Sequence, residues 1–260
     1  MDSANEVLIE NGVSLAFHVG GMDTAGHSAL IRQLYNIGMD GIVYYPVGNS
    51  LPLDALGLFT NASKPVIILD KAVDHPIFTN ICCDNFNGGH MLTQHLVDYG
   101  HEKIAYISRF EWGDVPSIRD RYNGYLSCLA ERGLQTNARF VKVEYFTEQT
   151  GYPLLKHTMN ALYREGFTAA ECENDEVAFN VYMCCRSLDI QIPQKFCITG
   201  FDNIHWATTG SAQITTVDQN FEMMGRALAD CILDPGGGPR KIVAPVKLTP
   251  RTSTAMLSRI

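Results

Sequence analysis

The feature that most constrains the fold of this chain is a regular alternation between short apolar runs and longer stretches of helical periodicity. Short, nearly continuous apolar runs are typical of strands that are buried on both faces of a parallel sheet. The predicted strands are Val13–Val19, Gly41–Tyr45, Val66–Asp70, Asn80–Cys83, Ile104–Ser108, Val141–Phe146, Ala169–Cys172 and Phe196–Gly200. This order predicts an α/β fold in which helices cover parallel sheets.

The predicted helices lie between these strands, and a glycine follows several of them. A glycine directly after the last turn can adopt the left-handed conformation that ends a helix. The helices that end in this way are Ser28–Ile37, Gly88–Tyr99, Arg119–Arg132 and Gly151–Glu165, and two more are predicted at Asp175–Leu188 and Phe221–Leu233. A chain of 260 residues has room for two such α/β units.

Charge and cysteine content limit the partners of the chain. It has 28 acidic against 20 basic side chains and a net charge of −8, whereas a domain that neutralises DNA phosphates needs a basic surplus. The eight cysteines show no CxxC spacing, and the chain contains neither a secretory pattern nor an apolar run long enough for a membrane span. We expect buried thiols in a reducing cytoplasm and no membrane contact.

One segment imitates a phosphate-binding loop. Gly21–Ser28 follows a predicted strand and opens a helix, but His27 stands where such a loop carries lysine. The competing interpretation is a plain loop in which Asp23 or Thr24 caps the following helix.

The remaining polar residues do not demand an enzyme. The carboxylates near residue 173 could serve as acid and base, yet a solvated strand end and the first turn of a helix explain them equally well. These residues are Glu171, Glu173, Asp175 and Glu176. We expect no catalytic residue, no cofactor and no metal site.

An ordered set of motifs runs through almost the whole chain. The motifs are Lys64–Asp70, Cys83–Asn85, His95–Ile107, Arg119–Tyr125, Glu173–Phe179, Ile192–Pro193, Ile198–Ile204, Thr215–Gln219 and Pro250–Thr254. Together they resemble the effector-binding domain of the lactose-repressor/galactose-repressor (LacI/GalR) family of transcriptional regulators.

This resemblance implies two doubly wound parallel-sheet lobes of periplasmic-binding-protein type I, with a ligand cleft between them. It places residues 1–102 and 220–243 in an N-terminal lobe, and residues 103–219 and 244–260 in a C-terminal lobe. Open parallel sheets bind ligands beyond the carboxyl ends of their strands, which favours the same place for the site.

Several residues match ligand positions of the family. Arg121 matches an arginine that reaches ligand oxygens, with a helix-surface cation as the competing interpretation. Asn174 and Asp202 match a polar pair suited to hydroxyl groups, although either could instead cap a helix. The other matching residues are Gln219, the aromatic residues Phe146 and Phe221, which could also be ordinary core residues, and the weaker candidates Tyr44, Asp84 and Asn85.

The chain departs from the family pattern at its beginning. The segment before Val13 contains neither a helix-turn-helix nor a hinge, so we expect this chain to contact DNA only through a head that it lacks. The family's first strand, which lies inside the first sheet, also has no counterpart. Either the chain is a fragment, or the first lobe is rearranged, or a partner supplies the strand.

The resemblance favours an effector-sensing domain of a transcriptional regulator that forms a homodimer and binds a sugar or a related small molecule. A sugar-binding carrier protein has the same fold and is the main alternative. An enzyme of the doubly wound class is the third.

Overall fold

The computed structural model describes residues 2–21, 23–46, 50–71, 73, 75–144, 151–211, 213–234, 236 and 238–257. The chain divides into two compact units. The first comprises Met1–Cys83, Val115–Ser117 and Asn220–Pro245, and the second comprises Asp84–Asp114, Ile118–Gln219 and Val246–Ile260. The predicted α/β fold with parallel sheets is confirmed.

The first unit is built on a parallel sheet with the strand order β1-β2-β3-β9 among the described residues. Its strands are β1 (Ile42–Tyr44), β2 (Val66–Leu69), β3 (Thr79–Cys83) and β9 (Lys241–Ala244). Its helices are α1 (Asp2–Glu10), α2 (Thr24–Asn36), α3 (Leu53–Asn61) and α8 (Phe221–Leu233). Apolar residues of α2 and α3 pack on one face of the sheet, while α8 packs on α1, β3 and β9.

The prediction of a strand at Val13–Val19 is wrong. The segment forms no strand, and its apolar side chains are exposed, with Phe17 at 71% and Val19 at 98%. Within the described residues, β1 pairs with β2 on one side, and neither Val13–Val19 nor any other segment pairs with its other side. A β-rich sequence without a neighbouring strand leaves its backbone groups to water.

The second unit contains a parallel sheet with the order β5-β4-β6-β7 among the described residues, and an antiparallel pair of β8 and β10. The strands are β4 (Ile104–Ser108), β5 (Arg139–Lys142), β6 (Ala169–Cys172), β7 (Cys197–Thr199), β8 (Thr216–Asp218) and β10 (Lys247–Thr249). Isolated bridges from Thr199 to Thr215 and from Asp202 to Asp218 place β8 beside β7.

Four helices complete the second unit: α4 (Asn85–Asp98), α5 (Pro116–Glu131), α6 (Gly151–Arg164) and α7 (Asp175–Ser187). Alternate strand residues such as Ile107, Ala170 and Ile198 join the core formed with α6 and α7. The residues between them, including Tyr106 and Glu171, point to the opposite face, where Tyr106 contacts α5 and Glu171 contacts α4.

The predicted lobe limits differ from this division for residues 84–102, which were expected in the first lobe, and for residues 115–117 and 244–245, which were expected in the second. In the structure α4 packs with β6, β8 and β10, so residues 84–102 lie in the second unit. The predicted glycine caps are confirmed, because Gly38, Gly100, Gly133 and Gly166 all have φ between +70° and +91°. No helix of the described residues is long and apolar enough to cross a membrane.

Candidate functional site

Polar side chains gather at the carboxyl ends of the strands in the second unit. Glu173 and Asn174 follow β6, Asp202 follows β7, and Gln219 follows β8 directly. Since these strands lie side by side and β4, β6 and β7 are parallel, the residues share one edge of the sheet.

Arg121 is the centre of this group. Its side chain is buried at 6% exposure, and Nε donates to Asn85 Oδ1 at 2.8 Å while Nη1 donates to the Glu173 carbonyl at 2.6 Å. Nη2 lies 3.4 Å from Asp202 Oδ1. The competing interpretation of Arg121 as a helix-surface cation is therefore excluded.

The aromatic ring of Phe201 fixes the plane of the guanidinium. The Arg121 guanidinium carbon lies 3.6 Å from the centre of this ring, which is a close cation–π contact. Phe201 reaches this position because Gly88 on α4 leaves room for it: a Cβ at Gly88 would lie 2.5 Å from the ring.

Two glycines bring α4 and α5 into backbone contact. A Cβ at Gly89 would lie 2.1 Å from the carbonyl oxygen of Arg121, and a Cβ at Gly124 would lie 2.1 Å from that of Phe86. This close approach places Asn85, the first residue of α4, within hydrogen-bond distance of Arg121. Asn85, a weak candidate from the sequence, is thus part of the polar group.

Asp202 and Gln219 complete what we call the Arg121 cluster, which consists of Asn85, Arg121, Asp202 and Gln219. Gln219 Nε2 donates to Asp202 Oδ1, the oxygen that also faces Arg121. Asp202 has a φ of +103°, a conformation that residues with side chains rarely adopt. Gln219 is 3% exposed, and its Oε1 has no hydrogen-bond partner among the described residues.

An ion pair that the sequence analysis missed supports this edge. Arg109 Nε donates to Glu173 Oε1 at 3.0 Å, the Arg109 backbone N donates to Glu173 Oε2 at 3.1 Å, and the Ser108 hydroxyl donates to the same oxygen. Arg109 Nη1 also donates to Glu176 Oε2 at 2.9 Å. These bonds fix the ends of β4 and β6, and with them the Glu173 carbonyl that faces Arg121.

Asp175 ties the start of α7 to the loop that carries Asp202. Its Oδ1 accepts from the Thr216 hydroxyl at 2.6 Å, and its Oδ2 accepts from the Ile204 backbone N at 2.9 Å. Burial raises the pKa of Asp175 to about 7, although both hydrogen bonds lower it. The interpretation of the acidic residues as solvated is wrong for Glu171, Glu173 and Asp175, which are all at most 1% exposed.

Asn174 and Asp84 act as helix caps. Asn174 Oδ1 accepts from the Val177 backbone N at 2.9 Å at the start of α7, and Asp84 Oδ1 accepts from the Asn87 backbone N at 3.0 Å at the start of α4. The capping interpretation therefore describes the Asn174 side-chain oxygen, and Asp84 is a cap that the sequence analysis did not predict. The Asn174 amide nitrogen remains available as a donor.

Two candidates belong to the first unit. Tyr44 ends β1, and its hydroxyl lies 2.9 Å from His27 Nδ1, while His27 Nε2 lies 2.6 Å from the Gly21 carbonyl. Because a carbonyl can only accept, Nε2 donates to it, and in the neutral ring Nδ1 accepts from Tyr44. Phe221 opens α8 and is 44% exposed. Phe146 lies outside the described residues.

The loop before α2 supplies the N-cap of that helix. Asp23 Oδ1 accepts from the Gly26 backbone N at 2.6 Å, so Asp23 caps α2 as the competing interpretation predicts. Within the described part of the chain, no group of three or more His, Cys, Asp or Glu side chains could hold a metal ion.

Residues 93–254, more than half of the chain, match the family model of a periplasmic binding protein-like domain. The HTH-type transcriptional repressor PurR of Glaesserella parasuis is 26% identical over 181 residues, which cover 70% of this chain and 52% of that protein. The arabinose metabolism transcriptional repressor of Halalkalibacterium halodurans is 23% identical over 269 residues, which cover 97% of this chain and 70% of that protein. The chain spans about half the length of the first curated relatives it matches.

Solved structures share the fold. A LacI family transcriptional regulator from Enterococcus faecium, with bound ribose, superposes with a TM-score of 0.82 at 22% identity over 98% of this chain and 92% of that one. The dimeric Lac repressor with an 11-residue C-terminal deletion gives 0.83 at 19% identity over 99% and 93%. The chain therefore belongs to the periplasmic binding protein-like domain family.

Proposed function

We propose that this chain is the effector-sensing domain of a transcriptional regulator and that it binds a sugar or a related small molecule at the Arg121 cluster. The observation that carries the proposal is the buried, unpartnered Oε1 of Gln219 beside Asp202 and the fixed guanidinium of Arg121. A buried acceptor without a donor is costly, and a ligand hydroxyl or N–H group would satisfy it.

The chemistry of the cluster suits a polyhydroxylated ligand. Asp202 keeps 19% of its side chain exposed and can accept from a hydroxyl, while Asn174 can donate through its amide nitrogen. Arg121 and Phe201 are held in place by partners of the protein itself, so a ligand would meet donors that are already oriented.

The relatives support this chemical class. The Enterococcus faecium regulator holds ribose, and the transcriptional regulator CelR was solved as a complex with cellobiose. The sequence relatives are named as PurR and arabinose metabolism repressors. We infer that the ligand changes operator affinity of a DNA-binding head, that the regulator acts as a homodimer, and that it acts in the cytoplasm where operator DNA lies.

Titration calorimetry against pentoses, hexoses, disaccharides and purine bases tests the proposal. Once a ligand is found, Gln219→Met should weaken it about tenfold or more, since it removes the buried acceptor while keeping the side-chain volume. Asn174→Ser should also weaken binding while preserving the cap of α7. Glu131→Gln on the far end of α5 is the control and should leave the affinity unchanged, because this carboxylate is 56% exposed.

Equal affinity of the wild-type chain and Gln219→Met for a ligand would remove the Arg121 cluster from the binding site. The assembly is tested separately by sedimentation, where the homodimer has twice the 28.8 kDa of one chain.

A further inference from the structure

A row of three buried polar side chains crosses the sheet of the second unit. Tyr106 on β4 is the register partner of Glu171 on β6, and Glu171 is the register partner of Thr199 on β7. Side chains of register partners lie on the same face of a sheet, so the three are neighbours. All three are fully buried.

Each of these side chains has an oxygen without a hydrogen-bond partner among the described residues: Tyr106 Oη, Glu171 Oε1 and Thr199 Oγ1. Orphaned buried polar groups are rare, and three neighbours are not explained by chance. They point to a small polar ligand that bridges them.

The second carboxyl oxygen of Glu171 has an uncharged hydroxyl as its partner. Thr93 Oγ1 on α4 lies 2.6 Å from Glu171 Oε2 and 3.1 Å from the Gly89 carbonyl. A threonine hydroxyl has one proton, and a carbonyl has none to give. A protonated carboxyl satisfies both oxygens: Glu171 donates to Thr93, and Thr93 donates to the Gly89 carbonyl.

The surroundings of Glu171 favour the uncharged form. Burial raises the pKa of Glu171 well above its ordinary value, while the Thr93 hydrogen bond and the charge of Arg121 oppose this shift. Arg121 also donates hydrogen bonds to Asn85 and the Glu173 carbonyl. The other titratable groups that interact with Glu171 are Tyr106 on β4, Cys172 on β6, and Tyr125 and Cys128 on α5, and burial raises the pKa of each. The groups that α4 and β7 place near Glu171 are the uncharged hydroxyls of Thr93 and Thr199.

We propose that Glu171 is an uncharged carboxylic acid in the folded protein and that, with Tyr106 and Thr199, it lines an internal site for ordered water. A buried water makes two to four hydrogen bonds. Here a water would accept from Tyr106 Oη and donate to Glu171 Oε1, the two oxygens that belong to register partners on adjacent strands. This inference does not rest on the proposed sugar binding.

The site couples folding to proton uptake. Above the ordinary glutamate pKa of 4.5 the unfolded chain carries an ionised Glu171, whereas the folded chain keeps it protonated. Folding then takes up one proton, so this group alone raises the unfolding constant about tenfold for each unit of pH until the folded pKa is reached. Stability conferred by Glu171 is lost as the pH rises.

Infrared spectroscopy tests the protonation state in the wild-type chain. At pH 7.5 we expect the carbonyl stretch of a protonated carboxyl group, which disappears on thermal unfolding and is weaker in Glu171→Gln, where only the partly protonated Asp175 still contributes to it. If the folded wild-type chain lacks this band, the proposal is overturned, whether or not the variant folds.

Denaturant titrations between pH 5.5 and 8 test the coupling. The ratio of the unfolding constants of wild type and Glu171→Gln should rise with pH, by about tenfold per unit below the folded pKa of Glu171, because glutamine does not titrate. Glu173→Gln is the matched control: it removes a buried carboxylate from the same strand end that is paired with Arg109, and it should leave the pH slope of the wild type in place. Parallel profiles of wild type and Glu171→Gln would contradict the proposal.

A high-resolution crystal structure tests the ligand. Ordered water within hydrogen-bond distance of Tyr106 Oη and Glu171 Oε1 is the expected result. Direct contact between these two atoms with no water between them would refute the water site.

Discussion

Asp175 is a carboxyl group whose buried environment shifts its pKa into the neutral range. Burial raises its pKa from 3.8 to about 7. Between these values the folded chain holds a proton that the unfolded chain has lost, so the contribution of Asp175 to stability falls as the pH rises from about 4 to 7 and is constant above.

Asp175→Asn should remove this dependence because asparagine does not titrate. We expect the difference in unfolding free energy between wild type and variant to shift in favour of the variant from pH 4 to 7 and then to level off. Urea denaturation at intervals of one pH unit measures it. A difference that does not change with pH would contradict the raised pKa.

At the scale of elements, the contact between α4 and α5 depends on glycine. A Cβ at Gly124 would lie 2.1 Å from the Phe86 carbonyl oxygen, which is backbone and cannot rotate away. Gly124→Ala should therefore separate the two helices and destabilise the chain by about 1–3 kcal/mol. It should also weaken ligand binding, since Asn85 and Arg121 lie on these helices.

Gly57→Ala is the matched control for this prediction, since both are helical glycines. A Cβ at Gly57 in α3 meets nothing within 4 Å. The substitution should stabilise by up to about 1 kcal/mol through helix propensity. Chemical denaturation measures the change in unfolding free energy for each variant, and the two changes should have opposite signs. An equal effect of the two substitutions would exclude close packing as the cause.

The sequence predicted the limits of an element correctly where the hydrophobic periodicity and a terminating residue indicated the same end. Ile104–Ser108, Ala169–Cys172 and Phe221–Leu233 have the predicted limits, and the glycine caps have the predicted conformation. Helix α3 was missed because it begins after Pro52 and ends at Asn61 without a following glycine. Strands β8, β9 and β10 were missed because each is short and contains a charged residue, so none forms a continuous apolar run.

The failure at Val13–Val19 has another cause. Its composition is that of a strand, but a strand needs a neighbour, and no local pattern reports whether one is present.

At the scale of the whole molecule, the site contains long-range contacts that local sequence patterns do not predict. The motifs predicted Arg121, Asp202 and Gln219, which the fold brings together. The pairing of Arg109 with Glu173 joins residues that are 64 positions apart, and it exists only because β4 and β6 are adjacent. The burial of Glu171 likewise follows from the packing of α4 over β6.

The net charge of −8 allows a prediction about DNA. Binding to duplex DNA gains its free energy largely from cations that neutralise phosphates, and its strength then falls steeply with salt. A chain with 28 acidic and 20 basic side chains is repelled by the duplex instead. The fluorescence anisotropy of a labelled duplex should stay constant when this chain is added at about 0.15 M salt, and it should still do so at lower salt.

Under the proposed function, DNA binding then requires a separate basic head, and joining a helix-turn-helix head to this chain should produce salt-dependent binding. Salt-dependent binding by the chain itself would show a basic surface that outweighs its net charge, and it would make the second segment unnecessary.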